Sequence, residues 1–272
     1  MTATGDGTSK NTATSTTTLV VGATGATGKW VVKLLLDQNQ NVKVVVRSKE
    51  RMLNLLQEII DDATSYNDRL TITEASLLDV SEEEWKKQVQ DCDAVVSCLG
   101  HTMDFAGIWG RASKQLVTKA TTRLTQAIAA TSEPNKKPTK FILMGSDGVA
   151  NPNGKDDKRS FLERTILAML RVLVPPHPDN EGAAAVVHAL GTSSNMEWTV
   201  IRPTDLIDVK PNGKYQLFEK PTGSLFGGGT ATRANVAQCM VDLILQKDKW
   251  QQYKFQMPVL HDIPTQDKAA EL

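Results

Sequence analysis

Cysteine is scarce in this chain, with three residues in 272: Cys92, Cys98 and Cys239. An odd count without ligand spacing argues against a disulfide framework, and no metal site is expected. A reducing, intracellular setting follows, the cytoplasm first, with organelle import left open. Net charge is also missing. Lys+Arg and Asp+Glu stand at 31 each, so no global field recruits nucleic acid or an acidic membrane. Long apolar runs are absent as well. The longest, TILAMLRVLVPP from Thr165, is broken by Arg171 and ends at two prolines. It is too short to span a bilayer and reads as a core or interface helix rather than a membrane-surface one. Residues 1–17 are nearly all Thr, Ser, Ala, Gly and Asn, with no apolar stretch and no Arg. That excludes a secretory signal and weakens a transit-peptide reading. Such a segment buries too little to offset its ordering entropy, so a disordered tail is expected.

What is present is an alternation. Short β-branched runs at Thr18–Val21, Val42–Val46, Leu70–Thr73, Ala94–Cys98, Phe141–Met144 and Trp198–Ile201 read as strands. Between them, Lys29–Leu36, Glu50–Ile59, Glu82–Val89, Ser113–Ala130 and Gly182–Leu190 read as helices. Strands apolar on both faces belong to a parallel sheet covered by helices. The expected fold is a doubly wound, Rossmann-type α/β sheet with helices on both faces. No linker divides the chain after residue 17, so one domain is expected over residues 18–272.

The stretch GATGATG, Gly22 to Gly28, stands where the first strand hands over to the first helix. Glycines there let backbone N–H groups and the helix dipole meet a pyrophosphate. Gly22 serves the tight turn, Gly25 lets phosphate approach, and Gly28 permits close helix–strand packing. Thr24, Ala26 and Thr27 complete the cradle. The spacing is G-x-x-G-x-x-G rather than the usual G-x-G-x-x-G, so position in the alternation carries the reading. At the end of the second strand, VVVRS places Arg47 19 residues beyond Gly28, with Ser48 next and Arg51 one helical turn later. An acidic residue there would bind the ribose hydroxyl of NAD, whereas a guanidinium holds a 2′-phosphate bidentately. NADP(H) is the expected cofactor.

With these residues the chain resembles the atypical, NAD(P)H-binding branch of the short-chain dehydrogenases/reductases, which includes NmrA-like proteins and biliverdin-IXβ/flavin reductases. The resemblance rests on GATGATG, VVVRS, LLDV (Leu77–Val80), VVSCLG (Val95–Gly100), FILMGSDG (Phe141–Gly148), WTVIRP (Trp198–Pro203) and TRANVAQ (Thr232–Gln238). It implies that Asp79 meets the adenine amine, with Val80 beneath the ring. Cys98, Leu99 and Gly100 would pass the adenosine ribose and pyrophosphate. Ser146 takes the place of the substrate-orienting serine, and Pro203 and Thr204 flank the nicotinamide. Asp79 has a local alternative, capping the helix that opens at SEEEW, and Ser146 another, serving a turn.

One mark of the tyrosine-dependent branch is missing. Its Tyr-x-x-x-Lys pair follows the fifth strand, but Tyr66, Tyr215 and Tyr253 all lie elsewhere. The segment PPHPDNEGAAAVVHAL offers His177, Asp179, Asn180 and Glu181 instead. Asp179 or Asn180 could cap that helix, while His177 or Glu181 could face the nicotinamide as donor or substrate-binding group. The loop GHTMDFAGIWGRASKQLV, with His101, Met103, Phe105 and Trp109, either lines a cleft or packs on the sheet edge. TGSLFGGGT (Thr222–Thr230) has the composition of a lid. The leading expectation is an NADPH-dependent oxidoreductase acting on a small organic substrate, with the oligomeric state open. The alternative is an NADP(H)-binding redox sensor or assembly protein without catalysis. An epimerase or dehydratase is disfavoured by the missing tyrosine.

Overall fold

Two-sided burial decides the architecture. The computed structural model describes residues 15–60, 66, 68–100, 115–133, 136–157, 159–173, 176–192, 195–209, 213–223 and 229–263. Its strands are β1 (Thr17–Val21), β2 (Asn41–Val46), β3 (Leu70–Glu74), β4 (Ala94–Ser97), β5 (Thr139–Met144), β6 (Met196–Pro203), β7 (Asp205–Ile207), β8 (Tyr215–Phe218), β9 (Thr230–Thr232) and β10 (Val259–Asp262). Eight of them form one sheet in the order β3-β2-β1-β4-β5-β6-β10-β8. The pairings are parallel except that of β8 with β10. β7 and β9 pair separately.

The helices are α1 (Gly28–Asp37), α2 (Lys49–Gln57), α3 (Glu82–Val89), α4 (Leu116–Thr131), α5 (Phe161–Leu173), α6 (Pro176–Ala189), α7 (Arg233–Leu245) and α8 (Lys247–Tyr253). Successive strand residues point to opposite faces, and the core divides accordingly. Val20, Val44, Val96 and Ile142 pack with Val31, Leu35, Val236, Met240 and Trp250 from α1, α7 and α8. Leu19, Val45, Val95 and Phe141 pack with Trp85, Leu124, Ala183 and Val187 from α3, α4 and α6. Each face is thus covered by helices, as a doubly wound sheet requires.

The order reverses between β1 and β4, which are hydrogen-bonded neighbours, with Val21 opposite Ser97. A crevice opens outside the carboxyl ends of such a pair, and ligands of doubly wound sheets bind there. Two readings of the sequence need correction. The ordered chain starts before Thr18: Thr17 begins β1, and the Thr16 N–H donates to Gln40 Oε1 at 2.8 Å. The last long helix before β6 starts at Pro176 rather than Gly182. Among the described residues beyond β6, four further strands and two helices extend the fold.

Candidate functional site

The glycine turn is forced first by its own packing. Gly22 has φ +75°, and a Cβ on it would lie 2.7 Å from the Cys98 carbonyl. A Cβ on Gly28 would lie 2.1 Å from the Gly22 carbonyl oxygen, so α1 closes onto the end of β1 only without one. At Gly25 the same carbonyl would be 3.0 Å away, and the Gly25 N–H already donates to it at 2.9 Å. A side chain there is crowded by the turn itself and needs the Gly22 carbonyl to give slightly. Chemistry enters through the donors left over. Among the described residues, none accepts from the N–H groups of Ala26, Thr27 or Gly28. Thr27 caps α1 without a side-chain bond. Orphan N–H groups at the start of a helix suit a pyrophosphate, so this cradle fits a dinucleotide.

On the β2 side, Arg47 and Arg51 are exposed, and no described residue bonds either guanidinium. Ser48 caps α2, accepting from the Arg51 N–H at 3.1 Å, and the Glu74 carboxylate accepts from the Lys49 N–H at 2.7 Å. The acidic residue at this edge is therefore spent on a helix terminus. Asp79 is exposed and is not a cap either, because Ser81 accepts from the Glu84 N–H and caps α3. Val80 and Leu99 are buried in the core. Cys98 is buried, with its sulfur 3.7 Å from that of Met240. Burial pushes its thiol up to about 12, so Cys98 offers no thiolate for chemistry near pH 7. A Cβ on Gly100 would meet no described atom within 4 Å. Pro203 and Thr204 are buried, and the Thr204 hydroxyl donates to the Leu260 carbonyl at 3.3 Å.

Ser146 and His177 come together. Ser146 leaves β5 and accepts from the Gly148 N–H at 3.1 Å, so it does serve a turn. The point where a Cβ on Gly148 would stand is 3.4 Å from both Ser146 Oγ and His177 Cε1, and 3.8 Å from His177 Nδ1. His177 Nε2, bonded to that Cε1, lies 3.4 Å from Glu181 Oε1. The imidazole thus approaches the serine turn through Cε1 and stands beside a carboxylate. The capping expectation fails for Asp179. Its buried carboxylate accepts from the Val117 N–H at 2.8 Å and the Thr118 N–H at 2.9 Å, capping α4 instead of its own helix. Thr118 Oγ1 returns a bond to the Asp179 carbonyl. This contact fixes α6, and with it His177, against α4.

Two residues here escaped the sequence reading. Arg202 is fully buried on β6, where a charge inside an apolar strand signals a paired partner. It holds Asp156 bidentately at 2.6 and 2.9 Å and also donates to the carbonyls of Met257 and Val149. Asp147, between Ser146 and Gly148, donates its N–H to the Pro203 carbonyl, tying the ends of β5 and β6 together. Burial pushes its carboxyl above the ordinary 3.8. Asp205 adds to this, while Arg159, the Gly148 N–H and Arg202 oppose it. A raised folded-state value means that stability falls as pH rises from the ordinary value through the folded one. Asp147→Asn should therefore melt at a higher temperature than wild type at pH 7. The gain should disappear by about pH 3, which thermal scans across pH would check.

Tyr215 meets a lysine, but not as a relay. Its hydroxyl donates to Asp242 at 2.5 Å, and Lys249 Nζ is 2.6 Å from it. Burial, a buried thiol and the Asp242 carboxylate push the phenol upward, opposite to what proton transfer needs. The cluster also lies at the outer edge strand β8, beyond β10. Residues 101–114, with His101, Met103, Phe105 and Trp109, and 224–228 of the expected lid fall outside the described residues.

The glycine cradle at the β1–β4 reversal, with its leftover N–H donors, is the arrangement of a dinucleotide site, and residues 22–247 match the NAD(P)H-binding family. The chain belongs to that family. No curated protein matches the sequence. Solved structures share the family's fold at low identity. The oxidoreductase YlbE from Lactococcus lactis is 18% identical, with a TM-score of 0.61, over 93% of this chain and 94% of that one. A short-chain dehydrogenase/reductase from Veillonella parvula in complex with NADP is 16% identical, TM-score 0.62, over 92% and 96%. The anaerobilin reductase ChuY from Escherichia coli O157:H7 is 17% identical, TM-score 0.61, over 92% and 99%. The atypical short-chain reductase resemblance read from the motifs agrees with these likenesses.

Proposed function

We propose that the protein is an NADPH-dependent oxidoreductase that reduces a small organic acceptor without a Tyr-x-x-x-Lys pair. The observation that carries the NADPH preference is the pair of uncommitted arginines, Arg47 and Arg51, at the carboxyl end of β2. There the acidic Glu74 is occupied by the Lys49 N–H. Bound NADPH supplies the hydride. The chain's part is to hold the pyrophosphate on the N–H groups of Ala26, Thr27 and Gly28, and the 2′-phosphate on Arg47. Asp79 would take the adenine amine, and Pro203 and Thr204 would border the nicotinamide. Ser146 orients the acceptor. His177, which flanks Gly148 of the Ser146 turn and stands 3.4 Å from the Glu181 carboxylate, donates the proton.

Arg47→Gln tests the cofactor assignment. It should cost about 1.5–3 kcal/mol of NADPH affinity, the scale of a hydrogen bond to a charged group, and leave NADH affinity unchanged. Equal losses for both cofactors by calorimetry would remove the argument. An acceptor screen read by NADPH absorbance tests catalysis. Tight NADPH binding without turnover of any acceptor would favour the binding-only alternative.

A further inference from the structure

A cleft of about 520 Å³ opens beside the glycine cradle on the α1–α7 side of the sheet. Its volume lies within the range of small-molecule sites. Ala26, an exposed residue of the cradle, forms part of its wall. Next to Ala26, the first turn of α1 contributes Lys29 and Trp30. Ile207 and Val209 approach from the end of β7, and Val209 is 50% exposed, an apolar side chain left in water. Arg233, from the first turn of α7, bonds Asp208 at 2.6 Å, and the Asp208 side chain is 70% exposed. No described residue accepts from the Lys29 ammonium, which lies 6.0 Å from the centroid of the Trp30 ring.

The chemistry of these walls is selective. An indole and two branched aliphatic side chains favour a flat apolar body. Two cations against one carboxylate leave a net positive charge, which an anionic substituent would neutralise. The location separates this cleft from the proton chemistry. Val149, Ala183 and Ala184, beside the Ser146–His177 pair, belong to the core on the α4–α6 face. Val31, Val32, Ala231 and Val236, beside the cleft, belong to the core on the opposite face.

We propose that this cleft binds a second small molecule, a planar aromatic carboxylate, alongside the dinucleotide and apart from the hydride acceptor. Because Ala26 and α1 serve both sites, occupancy of one biases the other, and the coupling is reciprocal. The site rests on the family's cofactor cradle and not on the proposed reductase activity, so a protein that reduces nothing would still bind.

The test uses 2-naphthoate as probe, titrated by calorimetry into the full-length protein with and without saturating NADP⁺. Saturable one-site binding is expected in both states. Trp30→Ala and Lys29→Gln should each weaken it at least about fivefold. NADP⁺ affinity should stay within about twofold of wild type in both variants, which also shows that they fold. Any of three results overturns the proposal: no saturable binding, competitive displacement of the probe by NADP⁺, or variants with unchanged probe affinity. Displacement would assign the cleft to the cofactor itself.

Discussion

Asp156→Ala should destabilise the protein by about 3–5 kcal/mol, the loss expected when one partner of a buried ion pair is removed. Arg202 has no exposed surface and cannot recover hydration when its carboxylate goes. Its remaining bonds, to the Met257 and Val149 carbonyls, are dipolar and do not neutralise the charge. Asp156 also accepts from the Asn151 N–H at 2.7 Å, so the same substitution releases the loop that follows Ser146. Burial pushes the Asp156 carboxyl up, yet its bonds to Arg202 and Asn151 outweigh this and hold it below the ordinary 3.8. A depressed folded value contributes stability that is present above the unfolded value and is lost as pH falls through the folded one. Urea unfolding at pH 7 should show the full gap between wild type and variant, and the gap should narrow below about pH 4. A loss under 1 kcal/mol at pH 7 would mean that Arg202 finds another counter-charge. Replacing both partners with apolar residues should not restore stability here, because two carbonyls would lose their donor.

The part of the fold built on apolar periodicity was legible, and the part built on distant partners was not. β1, β2, β4 and β5 read as strands because Leu19, Val20, Val44, Val45, Val95, Val96 and Ile142 alternate between two buried faces. The glycine turn read correctly at Gly22 and Gly28 because spacing and position force the close approaches that the structure contains. β7 and β9 did not read, since three residues each carry no period. Asp179, one of two candidate caps for its own helix, caps another helix for a physical reason. Capping preference recognises a carboxylate near a helix start, but it cannot say whose start, and the N–H groups it meets lie 61 and 62 residues earlier. The placement of Ser146 and His177 around Gly148 was visible only as topology: both follow carboxyl ends of the sheet, and the placement depends on α6 beginning at Pro176. Arg202 was legible in principle, as a charge inside the run Trp198–Pro203, but its partner came from a loop with no pattern of its own.

His177→Ala should lower the rate of NADPH-dependent reduction by roughly 10²–10⁴-fold for an acceptor that must be protonated, the range that a positioned general acid contributes. The substitution should leave NADPH affinity unchanged, because the cradle at Ala26–Gly28 and Arg47 stand on other elements. The arrangement of the ring motivates the expectation: Nε2 lies 3.4 Å from Glu181, and Cε1 approaches Gly148 in the Ser146 turn. A histidine donor must carry its proton, so the wild-type rate should fall as pH rises through the His177 pKa, and the variant should lose that limb. If His177→Ala reduces its acceptor at nearly the wild-type rate and keeps the same pH profile, solvent supplies the proton. The imidazole would then be a packing group against the Ser146 turn, and positioning of the acceptor would carry the remaining acceleration.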